Sequence, residues 1–128
     1  GSPPRVLSVR RGARGSYLWT NKRPGQYWTI PPAQGVHVID PTGAGNAFCG
    51  ALAANMPRLD GVRGEGAHRE WEWALWQQGM LRAASRASAT GAAVVAVEGL
   101  PNVGEDIRKA MVAESLRIYG SIPMPEPC

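Results

Sequence analysis

Residues 36–50, which read VHVIDPTGAGNAFCG, restrict the fold more than any other part of the chain. A short β-branched run leads into a turn that contains proline, then a Gly-Ala-Gly loop, then small apolar residues typical of a helix packed closely on a sheet. Backbone amides at the start of a helix have no intrahelical acceptor, so they bind anions, and glycine lets the anion approach. The pattern predicts a strand, an anion-binding loop and a helix.

Two familiar phosphate-binding loops do not fit this stretch. A P-loop needs a Lys-Ser or Lys-Thr pair after its last glycine, and none follows Gly45. Phe48 stands where the dinucleotide-binding fingerprint needs a glycine or alanine. Taken alone, the Gly-x-Gly pattern therefore leaves two interpretations open, a ligand site and a tight turn without a ligand.

The order of the predicted elements indicates an α/β class. A chain of 128 residues with 44% hydrophobic content is the size of one domain. Runs of β-prone residues separated by turns with Gly or Pro predict strands over residues 5–10, 16–20, 26–30 and 36–39. Helices are predicted over residues 44–56, 69–89 and 105–117, with a loop over residues 57–68. Periodicity does not decide between helix and buried strand for residues 92–97.

We therefore expect a single domain or fragment over residues 1–128. It consists of a β-rich part (5–39), a part with the Gly loop and helices (40–118), and a tail (119–128). The predicted architecture is short strands, then the anion-binding loop, then mainly helices.

The charge distribution indicates an anionic ligand. Residues 1–39 contain no Asp or Glu, but they do contain six basic residues, namely Arg5, Arg10, Arg11, Arg14, Lys22 and Arg23. Because these residues do not alternate with stacking aromatics in a recognised module, a solvated or nucleotide-facing edge is favoured over a nucleic-acid interface.

The remaining composition gives mainly negative expectations. No apolar run approaches the length of a membrane span, so we expect no membrane partner. Cys49 and Cys128 have neither metal-ligand spacing nor the density of a secreted disulfide scaffold, which favours a cytoplasmic setting. His37 alternates with Val36 and Val38 on the predicted strand, which favours a surface or edge position. His68 has no partner at metal-ligand spacing, so no metal ligands are predicted.

The stretch DPTGAGNAFCGAL resembles the signature Asp-x-Thr-Gly-Ala-Gly-Asp-x-Phe-x-Gly of the ribokinase, or PfkB, family of carbohydrate kinases. The family's last Asp is Asn46 here. The matching positions are Asp40, Thr42, Gly43, Ala44, Gly45, Phe48 and Gly50.

Flanking segments extend the resemblance to about residues 5–115. VLSVRRGARGSYLWT is similar to the family's strand, Thr-x-Gly-x-x-Gly turn and strand; Gly12 and Gly15 match, and Arg10 stands at the Thr position. Residues 83–97, followed by Gly99-Leu100-Pro101, are similar to the family's adenine-side helix and exit, although residues 85–90 contain no clear counterpart of its adenine-lining Asn. Family members are usually much longer, so the resemblance implies a ribokinase-like C-terminal lobe.

This resemblance implies ATP-dependent phosphoryl transfer to a sugar-type hydroxyl. It assigns the amides of Gly43, Ala44 and Gly45 to an anion hole and places Asn46 in the slot of the catalytic base. The nucleotide-binding residues that it implies are Gly12, Gly15 and Thr42. The implied cofactor is ATP with Mg²⁺, with a monovalent cation allowed, and the implied partners are a nucleotide and a sugar or related alcohol.

Asn46 makes catalysis the open question. An amide oxygen can accept a hydrogen bond from an alcohol, but it is too weakly basic to take the proton, and loss of a positioned base costs roughly 10²- to 10⁴-fold in rate. One alternative is that another acid compensates, and Asp40 is the nearest in sequence. A second is a nucleotide-binding relative without catalysis. A third, less favoured, is a basic module that binds nucleic acid.

Overall fold

The computed structural model describes residues 5–36, 38–39, 41–57, 70–96 and 104–128. Within them a four-stranded antiparallel sheet in the order β1-β2-β3-β4 packs against helices. The strands are β1 (Val6–Arg10), β2 (Ser16–Thr20), β3 (Gln26–Ile30) and β4 (Glu126–Pro127), and the helices are α1 (Ala44–Asn55), α2 (Glu70–Val95) and α3 (Glu105–Ser121). The predicted α/β class is confirmed.

β1 and β2 form a hairpin around a short 3₁₀ turn, Gly12–Arg14. The register pairs Val6 with Thr20 and Arg10 with Ser16. In β2, Ser16, Leu18 and Thr20 are buried, whereas the alternate residues are half-buried. Since strand side chains alternate between the two faces of a sheet, one face of the hairpin is directed to the helices, and Arg10 shares that face with Ser16.

The core lies between this sheet face and the helices. Leu18 and Ile30 from the strands join Met80 and Ala84 of α2 and Ile118 of α3, all nearly inaccessible to solvent. Small side chains in α2 allow its close approach to α1 and the sheet. Of the aromatic residues that begin α2, Trp76 is buried in the core.

α1 and α2 pack side by side and run in opposite directions. At one end, Gly91 of α2 lies against Ala44, with its ideal Cβ position 3.4 Å from the Ala44 carbonyl oxygen. At the other end, the ideal Cβ position of Gly79 is 3.0 Å from the ring of Pro57. The beginning of α1 therefore lies beside the end of α2.

The expectation of a strand over residues 36–39 is wrong for the residues that are described. Val36, Val38 and Ile39 carry no strand, while His37 lies outside the described residues. The Ile39 amide donates to the Val95 carbonyl at the end of α2, 2.7 Å away, so the segment pairs with a helix end. One edge of β3 is instead covered by β4, from the C-terminal segment.

The helix ends also differ from expectation. α2 continues to Val95, which resolves most of the ambiguous residues 92–97 as helix. α3 continues to Ser121, and β4 follows it, so residues 119–128 are not a simple tail. Most of the predicted loop at 57–68, with His68, and the break at residues 99–102 lie outside the described residues. None of the described helices is long and apolar enough to cross a membrane.

Candidate functional site

The start of α1 is an open helix N-terminus built by glycine. Gly43 is the N-cap residue with φ 83°, a left-handed conformation that glycine adopts without steric cost. It makes no side-chain capping bond, and the first turn of α1 carries no acid. The first intrahelical bond runs from the Ala47 amide to the Gly43 carbonyl at 2.9 Å. The amides of Gly45 and Asn46 thus belong to the turn whose N–H groups have no acceptor inside a helix.

The end of α2 holds this turn in place. Gly43 is within van der Waals reach of Val94, whose Cγ1 is 3.8 Å from the ideal Cβ position of the glycine. A Cβ on Gly91 would lie 3.4 Å from the Ala44 carbonyl oxygen and 3.8 Å from the Cβ of Phe48. A Cβ at position 91 would thus make ordinary van der Waals contacts, and Gly91 marks where α2 lies against the start of α1.

Arg10 extends from the end of β1 to the first turn of α1. A Cβ built on Gly45 would overlap Nη1 of Arg10 and lie 3.1 Å from its Cζ. The Arg10 Cζ is also 5.9 Å from the centroid of the Phe48 ring, one turn further along α1. A cation thus lies against the positive end of a helix, where anions are the favoured neighbours.

The Gly12–Gly15 turn has a different geometry. Both glycines have positive φ, 59° and 88° respectively. A Cβ on Gly15 would overlap the carbonyl oxygen of Ile30, whereas Gly12 has open space around its Cβ position. Gly15 is thus required by the close approach of β3, independently of any ligand.

The other predicted site residues surround the Gly loop. Asn46 is the third residue of α1 and is exposed, so a ligand at the helix N-terminus can reach its side chain. Thr42 is exposed in the turn before Gly43. Asp40, the acid that could compensate for Asn46, lies outside the described residues.

The structure thus brings part of the predicted site together. Gly43, Ala44 and Gly45 form one helix N-terminus, as the sequence predicts, and Gly12 lies two residues beyond Arg10, which contacts that turn. Gly15 instead packs against β3. Sequence reasoning missed the contact between Arg10 and Gly45. The signal in the sequence was that Arg10 ends the strand before the Gly-rich turn, at the position where the family has Thr.

Among the described residues, no group of three or more His, Cys, Asp or Glu side chains could hold a metal ion. The clearest carboxylate perturbation lies elsewhere, on α3. There the hydrogen bond from the Arg117 guanidinium holds the pKa of Glu114 below its usual value. Within the described residues, the start of α1 therefore offers backbone amides, the exposed side chains of Thr42 and Asn46, and the Arg10 guanidinium.

Comparison with known protein families matches residues 2–106 to the pfkB family of carbohydrate kinases. The match covers most of the chain, and it includes both glycine turns and the whole of α1 and α2. The chain therefore belongs to the pfkB carbohydrate kinase family, in agreement with the resemblance of its Gly loop. No curated protein matches the chain.

Proposed function

We propose that this protein binds ATP with Mg²⁺ at the N-terminus of α1 and is a kinase of sugar-type hydroxyls whose phosphoryl transfer is impaired by Asn46. Membership of the pfkB family supports the reaction class. The nucleotide, the acceptor and the loss of rate are part of the proposal. We propose a cytoplasmic setting for it, on the basis of the two free cysteines.

One observation carries the proposal, namely the uncapped first turn of α1. Gly43 provides no capping side chain and the turn contains no acid, so the positive end of the helix dipole is left to an external anion. In phosphoryl transfer, charge develops on the transferred group, and fixed N–H donors stabilise it without having to reorient. The amides of Gly45 and Asn46 would hold a phosphate group in this way.

Asn46 limits what the site can do with an acceptor alcohol. Its exposed side chain can orient the hydroxyl through a hydrogen bond, but it cannot remove the proton. Transfer would then depend on loss of the proton to water. This supports slow transfer, with a purely nucleotide-binding protein as the second candidate.

Magnesium fits this proposal through the nucleotide. Mg²⁺ is usually held by one or two carboxylates together with substrate phosphates, so a cluster of protein ligands is not required. When bound, it would neutralise charge on the phosphates. The protein's own contribution is to bind and orient the phosphate at the N-terminus of α1.

The nucleic-acid alternative is disfavoured by where the basic side chains lie. Arg10 contacts the first turn of α1, whereas Arg11 stacks on Tyr17, with its Cζ 4.0 Å from the ring centroid. Arg23 pairs with Glu70. These three cations are therefore each engaged by a different partner within the protein, which disfavours their joint use on a nucleic-acid backbone.

Calorimetry with ATP and Mg²⁺ tests the proposal directly. The parent chain should bind ATP, and Gly45→Asp should not. The new carboxylate would occupy the phosphate position and repel the phosphate. Gly45→Asp should stay folded, since an acid in the first turn of a helix is stabilising and the displaced neighbour is the end of a flexible arginine.

Gly50→Asp is the matched control. It makes the same change of charge in the same helix, at an exposed position with open space around its Cβ. It should retain the parent's affinity for ATP within about twofold, because the helix dipole acts mainly within the first turn. Absence of ATP binding by the parent, or equal loss in both variants, would contradict the proposed site.

A further inference from the structure

The helix-facing side of the β1–β2 hairpin carries two polar residues next to the Gly12–Gly15 turn, and one of them, Arg10, contacts the first turn of α1. The register places Arg10 opposite Ser16, and both side chains lie on the face directed to the helices. Ser16 is only 1% exposed, yet its hydroxyl has no hydrogen-bond partner within the part of the chain that is described. A buried hydroxyl without a partner is uncommon and calls for a ligand or water.

The contacts of Arg10 named above offer it no negative charge. Its guanidinium lies over the backbone of Gly45 at the positive end of α1 and near the Phe48 ring. The ring attracts the cation, but the helix dipole opposes it. An anion between the guanidinium and the helix amides would remove that opposition and be held from both sides.

We propose that Arg10 binds phosphate at this loop. One phosphate group would lie between the Arg10 guanidinium and the first-turn amides of α1. The inference deepens the proposed function and rests on it for the nucleotide. The ligand chemistry is a phosphate group with a double negative charge, either the terminal phosphate of a nucleoside triphosphate or free inorganic phosphate.

The choice of arginine gives this site a specific character. A guanidinium presents a planar fork of donors that matches two phosphate oxygens, and it stays charged at all ordinary pH values. The corresponding residue in the resembling family is a neutral threonine, which could offer one hydroxyl. Arg10 therefore adds a fixed charge, so that binding depends more strongly on the charge of the ligand and on salt.

The test is calorimetric titration with ATP and Mg²⁺, and separately with inorganic phosphate, on the parent and three variants. Arg10→Thr should weaken binding of either ligand by roughly tenfold or more, because a charge-assisted, forked contact is lost. Arg10→Lys should fall between parent and Arg10→Thr, since lysine keeps the charge without the fork. Arg14→Thr, which removes the same charge from an exposed position in the neighbouring turn, should bind within about twofold of the parent.

Thermal unfolding separates a binding role from a structural one. Without ligand, Arg10→Thr should be at least as stable as the parent, because it removes a cation from the positive end of a helix. With saturating phosphate, the parent should gain more stability than the variant. A structural role would instead lower the stability of the variant equally with and without phosphate.

The outcomes distinguish this inference from the proposed function. If the parent binds ATP and Arg10→Thr binds it equally well or more tightly, the role of Arg10 is wrong and the nucleotide site stands. Binding of inorganic phosphate that depends on Arg10, without binding of ATP, would support the inference and contradict the proposed function. If the parent binds neither ligand, both are wrong.

Discussion

The two glycine turns of this protein look alike in sequence but need glycine for different reasons. In the hairpin turn, Gly15 has φ 88° and its Cβ position is blocked by the carbonyl of Ile30, so packing fixes its identity. In the first turn of α1, the atoms nearest to the Cβ position of Gly45 belong to the guanidinium of Arg10, a flexible group. Packing therefore does not require glycine at 45, whereas the close approach of a phosphate that we propose would favour it.

The two turns therefore differ in what their glycines do for the fold. Gly15 has its role in the absence of any ligand, and substitution there should be measured as lost stability. Gly45 has no comparable structural task, so under the proposed function its substitution should be measured as lost binding. The predictions below run from the largest expected effect to the smallest.

Asn46→Asp addresses the chemistry of the Gly45 loop. If Asn46 occupies the slot of a catalytic base, restoring a carboxylate should raise phosphoryl transfer from ATP to sugar-type alcohols by roughly 10²- to 10⁴-fold. Formation of ADP, followed across a panel of sugars and nucleosides, measures it. Asn46→Ala should stay as slow as the parent. A parent that already transfers as fast as Asn46→Asp would contradict the impairment.

Gly15→Ala addresses the packed turn. The overlap with the Ile30 carbonyl and the positive φ should together lower the free energy of unfolding by about 3 kcal/mol or more. Gly12→Ala, with positive φ but open space, should cost only about 1 kcal/mol. Urea denaturation followed by tryptophan fluorescence gives both values.

Gly45→Ala is the matching substitution in the first turn of α1. It should change the free energy of unfolding by less than about 1 kcal/mol, since alanine favours the helix and Arg10 can move aside. If Gly45→Ala were as destabilising as Gly15→Ala, the contrast between the two turns would be lost.

Glu114→Gln tests what holds the segment after Ile30 against α3. Glu114 accepts a hydrogen bond from the Gln34 amide at 3.1 Å and another from Nε of Arg117 at 2.8 Å, while Arg117 donates to the Pro32 carbonyl at 3.3 Å. Because the pair is partly exposed, we expect the melting temperature to fall by only about 1–3 °C at neutral pH.

The pH dependence gives that prediction its sign. The pKa of Glu114 is lowered in the folded chain by the hydrogen bond from Arg117, so its stabilisation is present above the usual carboxyl pKa. It is lost as the pH falls through the lowered value. The difference between parent and Glu114→Gln should therefore shrink in acid. Glu105→Gln, a more exposed carboxylate 3.7 Å from Lys109 on the same helix, is the control and should have a smaller effect.

Local sequence signals predicted the elements that local physics determines. The first three strands lie within one residue of expectation because alternating β-prone runs are bounded by Gly-rich turns. α1 begins at Ala44 and ends just before Met56 and Pro57, as the pattern of small apolar residues indicated. The glycine turn before α1 could likewise be predicted, because glycine at φ 83° before a helix is a local requirement.

Features that depend on tertiary contacts could not be predicted from the sequence. β4 is two residues long and includes Pro127, so it is too short to show the alternating pattern that predicts a strand. Residues 36–39 have a strand-like composition, but Ile39 bonds to the end of α2. The contact of Arg10 with Gly45 joins positions far apart in the chain, and only the folded hairpin brings them together.

The central claim is that the first turn of α1 is a working anion site, and a titration of the ¹⁵N-labelled chain with ATP and Mg²⁺ measures this most directly. The account predicts that the backbone amide signals of Gly45 and Asn46 shift in a saturable way, while that of Gly50, further along the same helix, moves little. Saturable shifts elsewhere in the chain, with the Gly45 and Asn46 amides unchanged, would contradict it.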